Sequence, residues 1–269
     1  MTDPAAAGPW IAARGLGFAY GARPVLEEID LDLRPGRHYI IAGPNGAGKS
    51  TLLDLLANLK RPAAGSLSVM GRPIGDYGPG SLARTLALAP QEFRLDFSFT
   101  VREVVAMGRR PFLGRWGVMG ENDHRVVDEA LAGLHLEPLA GRTVTALSGG
   151  ERRRCVVARA LAQTTPIVLL DEPAAGLDVG QAMSLMSVAR GLAESGKLVV
   201  TVGHDLNLAA MFGHEIIFLQ DGRLVAGGPV EDVFTGENLS RIYGTPARVR
   251  RDDFSGALAV SFRERDLPA

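Results

Sequence analysis

Between residues 10 and 33 the apolar positions follow a β-like pattern. It ends with Ile29, Leu31 and Leu33 alternating with Asp30, Asp32 and Arg34, the period of a half-buried strand. Pro35-Gly36 is the turn that follows. Residues 38–42 are a short, mostly apolar run, as in a parallel strand covered on both faces, and they lead directly into a glycine-rich loop. After the loop, Leu52, Leu53, Leu55, Leu56 and Leu59 recur at helical spacing, and Pro62 is expected to stop the helix.

Helical pattern dominates from about residue 93 to 164, with a capping box at Thr100-Val101-Arg102-Glu103 as a start signal. Residues 109–120 interrupt it with glycine, proline and aromatics. Strand character returns at 167–170 and 198–202, and the helix predicted between them carries Met183, Met186 and Leu192. Residues 215–219, then Asp221-Gly222, then 223–226 read as a hairpin with a primed turn. Strands on both sides of a helical stretch predict one α/β core interrupted by a helical lobe. The tail beyond about Pro246 carries charges at intervals and gives no firm element.

Composition narrows the function classes. In 269 residues, a hydrophobic share of 46% is ample for a sizeable core. Lysine plus arginine numbers 29 against 30 acidic residues, a net charge of -1, so no basic field points to nucleic acid. Cys155 is the single cysteine and cannot form an intrachain disulfide, which fits a reducing compartment. No apolar run approaches the roughly 20 residues of a membrane span. Residues 1–9 lack the basic residues and apolar core of a signal peptide. The expectation is a cytoplasmic protein whose membrane role comes through a partner.

Three stretches carry chemistry. Gly43-Pro44-Asn45-Gly46-Ala47-Gly48-Lys49-Ser50 matches Gly-x-x-x-x-Gly-Lys-Ser/Thr, after a strand and opening a helix. Its glycines let backbone N–H groups curl around phosphate oxygens while the helix N-terminus adds positive potential. Lys49 would reach the β- and γ-phosphates and Ser50 would ligate Mg²⁺. Ile167-Val168-Leu169-Leu170-Asp171-Glu172 is an apolar strand that delivers two carboxylates at its C-terminal end, beside the phosphate loop of an open α/β sheet. Asp171 would hold Mg²⁺ through water, and Glu172 could take a proton from the water that attacks the γ-phosphate. Leu147-Ser148-Gly149-Gly150-Glu151 is, taken alone, a helix start with a capping box.

In this order the three stretches resemble an ATP-binding-cassette (ABC) ATPase subunit over nearly the full chain: Walker A at 43–50, signature at 147–151, Walker B ending at Asp171. The resemblance implies an α/β fold, a P-loop NTPase (RecA-like) core with an N-terminal antiparallel β-subdomain and an inserted α-helical subdomain. The core would span about 10–92 and 165–235, the helical subdomain about 93–164 and a C-terminal extension about 236–269. It also implies ATP and Mg²⁺, with Walker A and Thr51 holding the nucleotide and Ser50, Gln91 and Asp171 serving the metal. Tyr20 matches the aromatic that stacks on adenine, with a core strand aromatic as the alternative. Gln91 matches the glutamine that senses Mg²⁺ and joins core to lobe. Asp178, in Gly176-Leu177-Asp178, matches the loop that crosses the dimer interface, and His204 the switch histidine at the γ-phosphate. Glu172, His204, Gln91 and Lys49 would then form the catalytic set. His38, His124, His135 and His214 match nothing and are left structural.

In this family the signature faces the nucleotide of another subunit, so Ser148, Gly149 and Gly150 would complete a site in a second copy of the chain. A single cassette without a span resembles the separate ATPase subunit of an importer, at the cytoplasmic face of the membrane. Such a subunit works with transmembrane permease subunits and, indirectly, with an extracytoplasmic substrate-binding protein. The runs 107–115, 204–209 and 242–244 resemble subunits serving iron-siderophore, haem or cobalamin uptake. Phe112 stands where histidine is frequent there, Ala174 where threonine or serine is usual, and Arg153 where glutamine is common. The aromatics Phe93, Phe97 and Phe99 follow Gln91 where the family docks a coupling helix, and they also fit packing of the lobe. The rival reading is a soluble cassette acting on nucleic acid, ribosomes or protein assembly, which the near-neutral charge disfavours; a P-loop kinase leaves the signature unexplained.

Overall fold

The computed structural model describes residues 8–93, 98–114 and 117–264. Strands β1 (Ile11–Tyr20) and β2 (Arg23–Leu33) form an antiparallel hairpin that buries Ile11, Ala13, Leu16, Ile29, Leu31 and Leu33 on one face. After the turn at Gly36 (φ 74°), strand β3 (Arg37–Ala42) is buried at every position but the first. Helix α1 (Lys49–Leu56) then ends well before Pro62. Asn58 takes a left-handed conformation (φ 57°), its N–H bonds to the Leu55 carbonyl, and the Leu59 N–H bonds to that of Asp54. That reciprocal pair is a Schellman cap, so asparagine stops the helix and Leu59 lies outside it.

The next elements were not distinct in the sequence. Strand β4 (Ala64–Val69) pairs with the free edge of β1, and β5 (Arg72–Pro73) pairs with β4. Helix α2 (Pro79–Thr85) leads to strand β6 (Leu86–Ala89). The lobe follows: α3 (Val101–Ala106), α4 (Glu121–Gly133) and α5 (Gly149–Ala162) pack through Val101, Val104, Val105, Val127, Leu131 and Val157. The capping box at Thr100 and Glu103 is present, as the spacing predicts.

The chain then returns to the core through β7 (Ile167–Asp171), α6 (Val179–Glu194), β8 (Leu198–Val202) and α7 (Leu206–Phe212). Strands β9 (Glu215–Gln220) and β10 (Arg223–Pro229) form the expected hairpin, with Asp221 and Gly222 both at positive φ (49° and 76°), as a type I′ turn requires. The tail folds as α8 (Val230–Val233), α9 (Gly236–Tyr243) and a hairpin of β11 (Ala247–Arg251) and β12 (Leu258–Phe262). This hairpin packs on α7, where the Val260 N–H donates to Asn207 Oδ1 at 2.9 Å.

The central sheet is six-stranded, in the order β10-β9-β3-β8-β7-β6, parallel except at the β10 edge. A separate four-stranded antiparallel sheet has the order β2-β1-β4-β5. Alternation within the buried strands divides the core in two. Ile40, Ala42, Val168, Leu170 and Val199 face the lobe, α6 and the tail, whereas Tyr39, Ile41, Leu169, Val200 and Val202 face α1 and the antiparallel sheet. Among the described residues no helix is long and apolar enough to cross a membrane.

The run 109–120 interrupts the helical pattern as expected, since no α-helix is assigned to its described residues between α3 and α4, and its first part also fastens the lobe. Residues Met107–Phe112 continue α3 as a 3-10 turn. Arg109 is only 4% exposed there. Its Nε pairs with Asp123 Oδ1, Nη1 donates to the Ala162 carbonyl and to Thr164 Oγ1, all at 2.9 Å, and the guanidinium stands 4.4 Å from the Phe112 ring centre. Asp123 also accepts from the Gly120 N–H at the start of α4, so one ion pair joins the ends of three helices. The Arg109 bond, followed by the Gly120 N–H, holds the Asp123 carboxyl below the usual range. Arg109→Ala would strand this carboxylate. It is expected to cost about 3 kcal/mol and roughly 10 °C in thermal midpoint, read by thermal denaturation; an unchanged midpoint would contradict the fastening role.

Candidate active site at the strand ends

The phosphate loop leaves β3 at Gly43 and enters α1 at Gly48. Gly43 has φ 142°, and a Cβ there would lie 2.0 Å from the Leu219 carbonyl oxygen of β9, so the loop can pass this strand only as glycine. Gly48 is the left-handed cap of α1 (φ 98°) with no side-chain bond to the helix's first N–H groups. An uncapped helix start at the mouth of a glycine loop leaves donors for an anion. Lys49 is folded onto the loop itself, its Nζ donating to the Gly43 and Pro44 carbonyls at 2.9 Å each. Burial lowers the pKa of this ammonium, against the opposing pull of Glu172 and Asp171. Pro44, Asn45, Gly46, Ala47, Ser50 and Thr51 complete the loop and the first turn.

Parallel register brings the other groups to the same level. Val202 of β8 pairs with Ile41 on one side and Asp171 on the other. Ser50 Oγ therefore reaches Asp171 Oδ1 at 3.2 Å. Burial raises the Asp171 carboxyl, partly opposed by that hydroxyl. Glu172 sits at φ 46°, a left-handed conformation that non-glycine residues rarely take, fixed by its N–H to the Val202 carbonyl at 3.0 Å. The turn points its carboxylate toward two groups from other segments. Gln91 Nε2 donates to Glu172 Oε2 at 3.1 Å, and His204 Nδ1 lies 3.8 Å from the same oxygen. A cavity of about 270 Å³ opens beside Glu172 and His204, walled in part by Pro173, Ala174, Leu177 and Leu208.

Lys49, Ser50, Gln91, Asp171, Glu172 and His204 thus converge from β3, β6, β7 and β8 on one edge. Ser50 and Asp171 offer hard oxygen donors, a set that fits Mg²⁺ keeping water and phosphate as its remaining ligands. No cluster of three or more His, Cys, Asp or Glu side chains among the described residues forms a protein-only cage instead.

Tyr20 stands at the end of β1, 53% exposed and edge-on to Phe18 at 5.0 Å. Lys60 Nζ lies 5.3 Å from its ring centre and pairs with Asp54. Lys60 lowers the pKa of the Tyr20 hydroxyl, against the opposing effect of burial and with Thr51 in the first turn of α1 adding to it. Neither Lys60 nor Asp54 was singled out in the sequence, since no local spacing joins them to Tyr20.

Ser148, Gly149 and Gly150 are at the N-terminus of α5, where Ser148 and Glu151 exchange capping bonds: Ser148 N–H to Glu151 Oε2 at 2.7 Å, Glu151 N–H to Ser148 Oγ at 3.2 Å. Asp178 caps α6 through the Gln181 N–H at 2.8 Å. Both caps belong to their own helices rather than to the Glu172 cluster. Of the aromatics after Gln91, Phe93 lies under the Arg159 guanidinium (4.2 Å), and Phe93 and Phe99 both pack against the lobe core; Phe97 and Arg115 lie outside the described residues.

The family described as ABC transporter matches residues 26–175. The chain is 44% identical over 258 residues to the hemin import ATP-binding protein HmuV of Streptomyces coelicolor, covering 96% of this chain and 91% of that one. Among solved structures, one described as an inward-facing conformation of a metal-chelate type ABC transporter is 29% identical, with a TM-score of 0.80 over 96% of this chain and 97% of the other. A dimeric ATP-binding cassette in a post-hydrolysis state with ADP and Pi is 30% identical, with a TM-score of 0.73 over 82% of this chain and 98% of the other. A P-loop core, an inserted helical lobe and this degree of likeness agree: the chain belongs to the ABC transporter family, as an ATP-binding subunit that hydrolyses ATP with Mg²⁺ as its partner ion.

Proposed function

We propose that the chain powers an importer for a metal chelate of the iron-siderophore, haem or cobalamin kind, docked on separate permease subunits at the cytoplasmic face of the membrane. The observation that carries the catalytic part is the convergence of Gln91 and His204 on one carboxylate oxygen of Glu172. The likeness to a hemin import ATP-binding protein across 96% of the chain supports the import part.

Gly43 to Thr51 bind the phosphates through backbone N–H groups and the start of α1, while Tyr20 offers its exposed ring to adenine. Lys49 exchanges its loop carbonyls for β- and γ-phosphate oxygens. Ser50, Asp171 and Gln91 would hold Mg²⁺, directly or through water; the ion, when bound, offsets charge on the β- and γ-oxygens. Glu172 Oε2 accepts a proton as water attacks the γ-phosphorus, and the bond to the β–γ bridging oxygen breaks to release ADP. Gln91 and His204 orient that carboxylate and the attacking water, and His204 donates to the γ-phosphate. The left-handed turn at Glu172 supports this reading, because backbone strain collects where a side chain must be aimed.

Ser148, Gly149 and Gly150 serve the ATP of a second copy, with Asp178 near the interface between them. The helical lobe, about 93–164, is the body that would move as that sandwich closes, and an extracytoplasmic binding protein would deliver the chelate to the permease.

Glu172→Gln keeps the shape of the side chain and removes its basicity. Hydrolysis is expected to fall by about 10²-fold or more, and the variant should run as an ATP-bound dimer on gel filtration; wild-type turnover, or only monomer with ATP, would contradict these roles. Reconstituted with its co-purifying permease and binding protein, the chain should drive ATP-dependent uptake of one of ferric siderophore, haem or cobalamin into vesicles. Uptake of none of the three would contradict the substrate class.

A further inference from the structure

Arg153 lies on α5, five residues beyond the Ser148 cap and so about 7.5 Å along the helix. Its side chain leaves the lobe. Nη1 donates to the backbone carbonyl of Gln91 at 2.6 Å and approaches that of Pro90 at 3.4 Å. The Gln91 side chain points the other way, onto Glu172 Oε2. Six residues further along α5, Arg159 lies over the ring of Phe93, so the same short loop is fastened to this helix twice. A helix that carries the signature at its start therefore holds the backbone from which Gln91 reaches the catalytic carboxylate.

We propose that Arg153 is a positioning residue for ATP hydrolysis: it ties the Gln91 loop to the signature helix, so that the seating of the helical lobe sets the geometry of Gln91 on Glu172. This rests on the proposed roles of Glu172 and of residues 148–150. The chemistry of the tie suits the task. A guanidinium makes charge-assisted bonds to carbonyl oxygens, and here a single nitrogen, Nη1, reaches two successive ones. It grips main chain and leaves the Gln91 amide free for Glu172. The glutamine common at this place in the family would not bring the charge.

Two contributions would be joined in one rigid element. The first turn of α5 meets the partner's nucleotide, and its second turn adjusts the chain's own Gln91. Closure at one site is then transmitted to the base of the other without any contact between the two nucleotides.

Steady-state ATPase assays on wild type, Arg153→Ala, Arg153→Lys and Glu172→Gln test this. Arg153→Ala is expected to lower kcat about tenfold while KM for ATP stays within about twofold and the thermal midpoint holds, and Arg153→Lys, which keeps a charged nitrogen donor, should recover most of the loss. The double variant Glu172→Gln/Arg153→Ala should still form the ATP-bound dimer, since binding is not what Arg153 serves. Wild-type kcat in Arg153→Ala, or a kcat loss that only tracks a lower thermal midpoint in both Arg153 variants, overturns the proposal. Hydrolysis that survives Glu172→Gln overturns the underlying role of Glu172; an inactive Glu172→Gln beside an unaffected Arg153→Ala overturns the Arg153 assignment alone.

Discussion

The level alignment of Ile41, Val202 and Asp171 across three parallel strands is the constraint on which the rest depends. Because β3, β8 and β7 end together, the phosphate loop, the His204 segment and the Asp171-Glu172 pair emerge on one edge of the sheet. The register is held by burial on both faces. A slip of one residue would exchange the two core faces, moving Ile40 and Val199 into the layer now filled by Ile41 and Val200. The Glu172 N–H to the Val202 carbonyl turns this alignment into aim, by holding a carboxylate in a conformation the backbone alone disfavours.

The second constraint is that the helical lobe is fastened at places remote from its own core. Arg109 joins the ends of α3 and α5 to the start of α4, which makes the lobe a body that can move as one. Arg153 then connects that body to the strand-end site. Ser148 shows how economical such a design is. Its capping bonds with Glu151 stabilise the start of α5, and the unused N–H groups of the same turn are what an anion from another subunit would meet.

Much of this was legible in the sequence where local rules suffice. The glycine loop, the acidic strand end, the type I′ turn at Asp221-Gly222 and the capping boxes at Thr100 and Ser148 are each set by residues within a few positions of one another. Tertiary context decided the rest. Strands β4 to β6 are short and owe their place to edges that β1, β4 and β7 present. Helix α1 ended at Asn58 because a left-handed cap acts before Pro62 can. The interruption at 109–120 was legible, but no pattern announces that Arg109 within it will be buried against Asp123. The tail hairpin carries arginines at Arg248, Arg250 and Arg251 and only half-buried apolar partners, which blurs the alternation a strand needs. Lys60 beside Tyr20 and Arg153 beside Gln91 join residues that sequence distance separates.

The central claim is that each ATP site is built from the phosphate loop of one copy and the signature of another. Complementation between two inactive chains measures this most directly. Lys49→Ala removes the cis half and Ser148→Arg the trans half. Mixed in equal amounts, the two variants should regain hydrolysis, with about a quarter of the wild-type sites intact because half of the random dimers hold one complete site. A mixture no more active than either variant alone, or a Ser148→Arg chain that hydrolyses ATP unaided, would contradict the account.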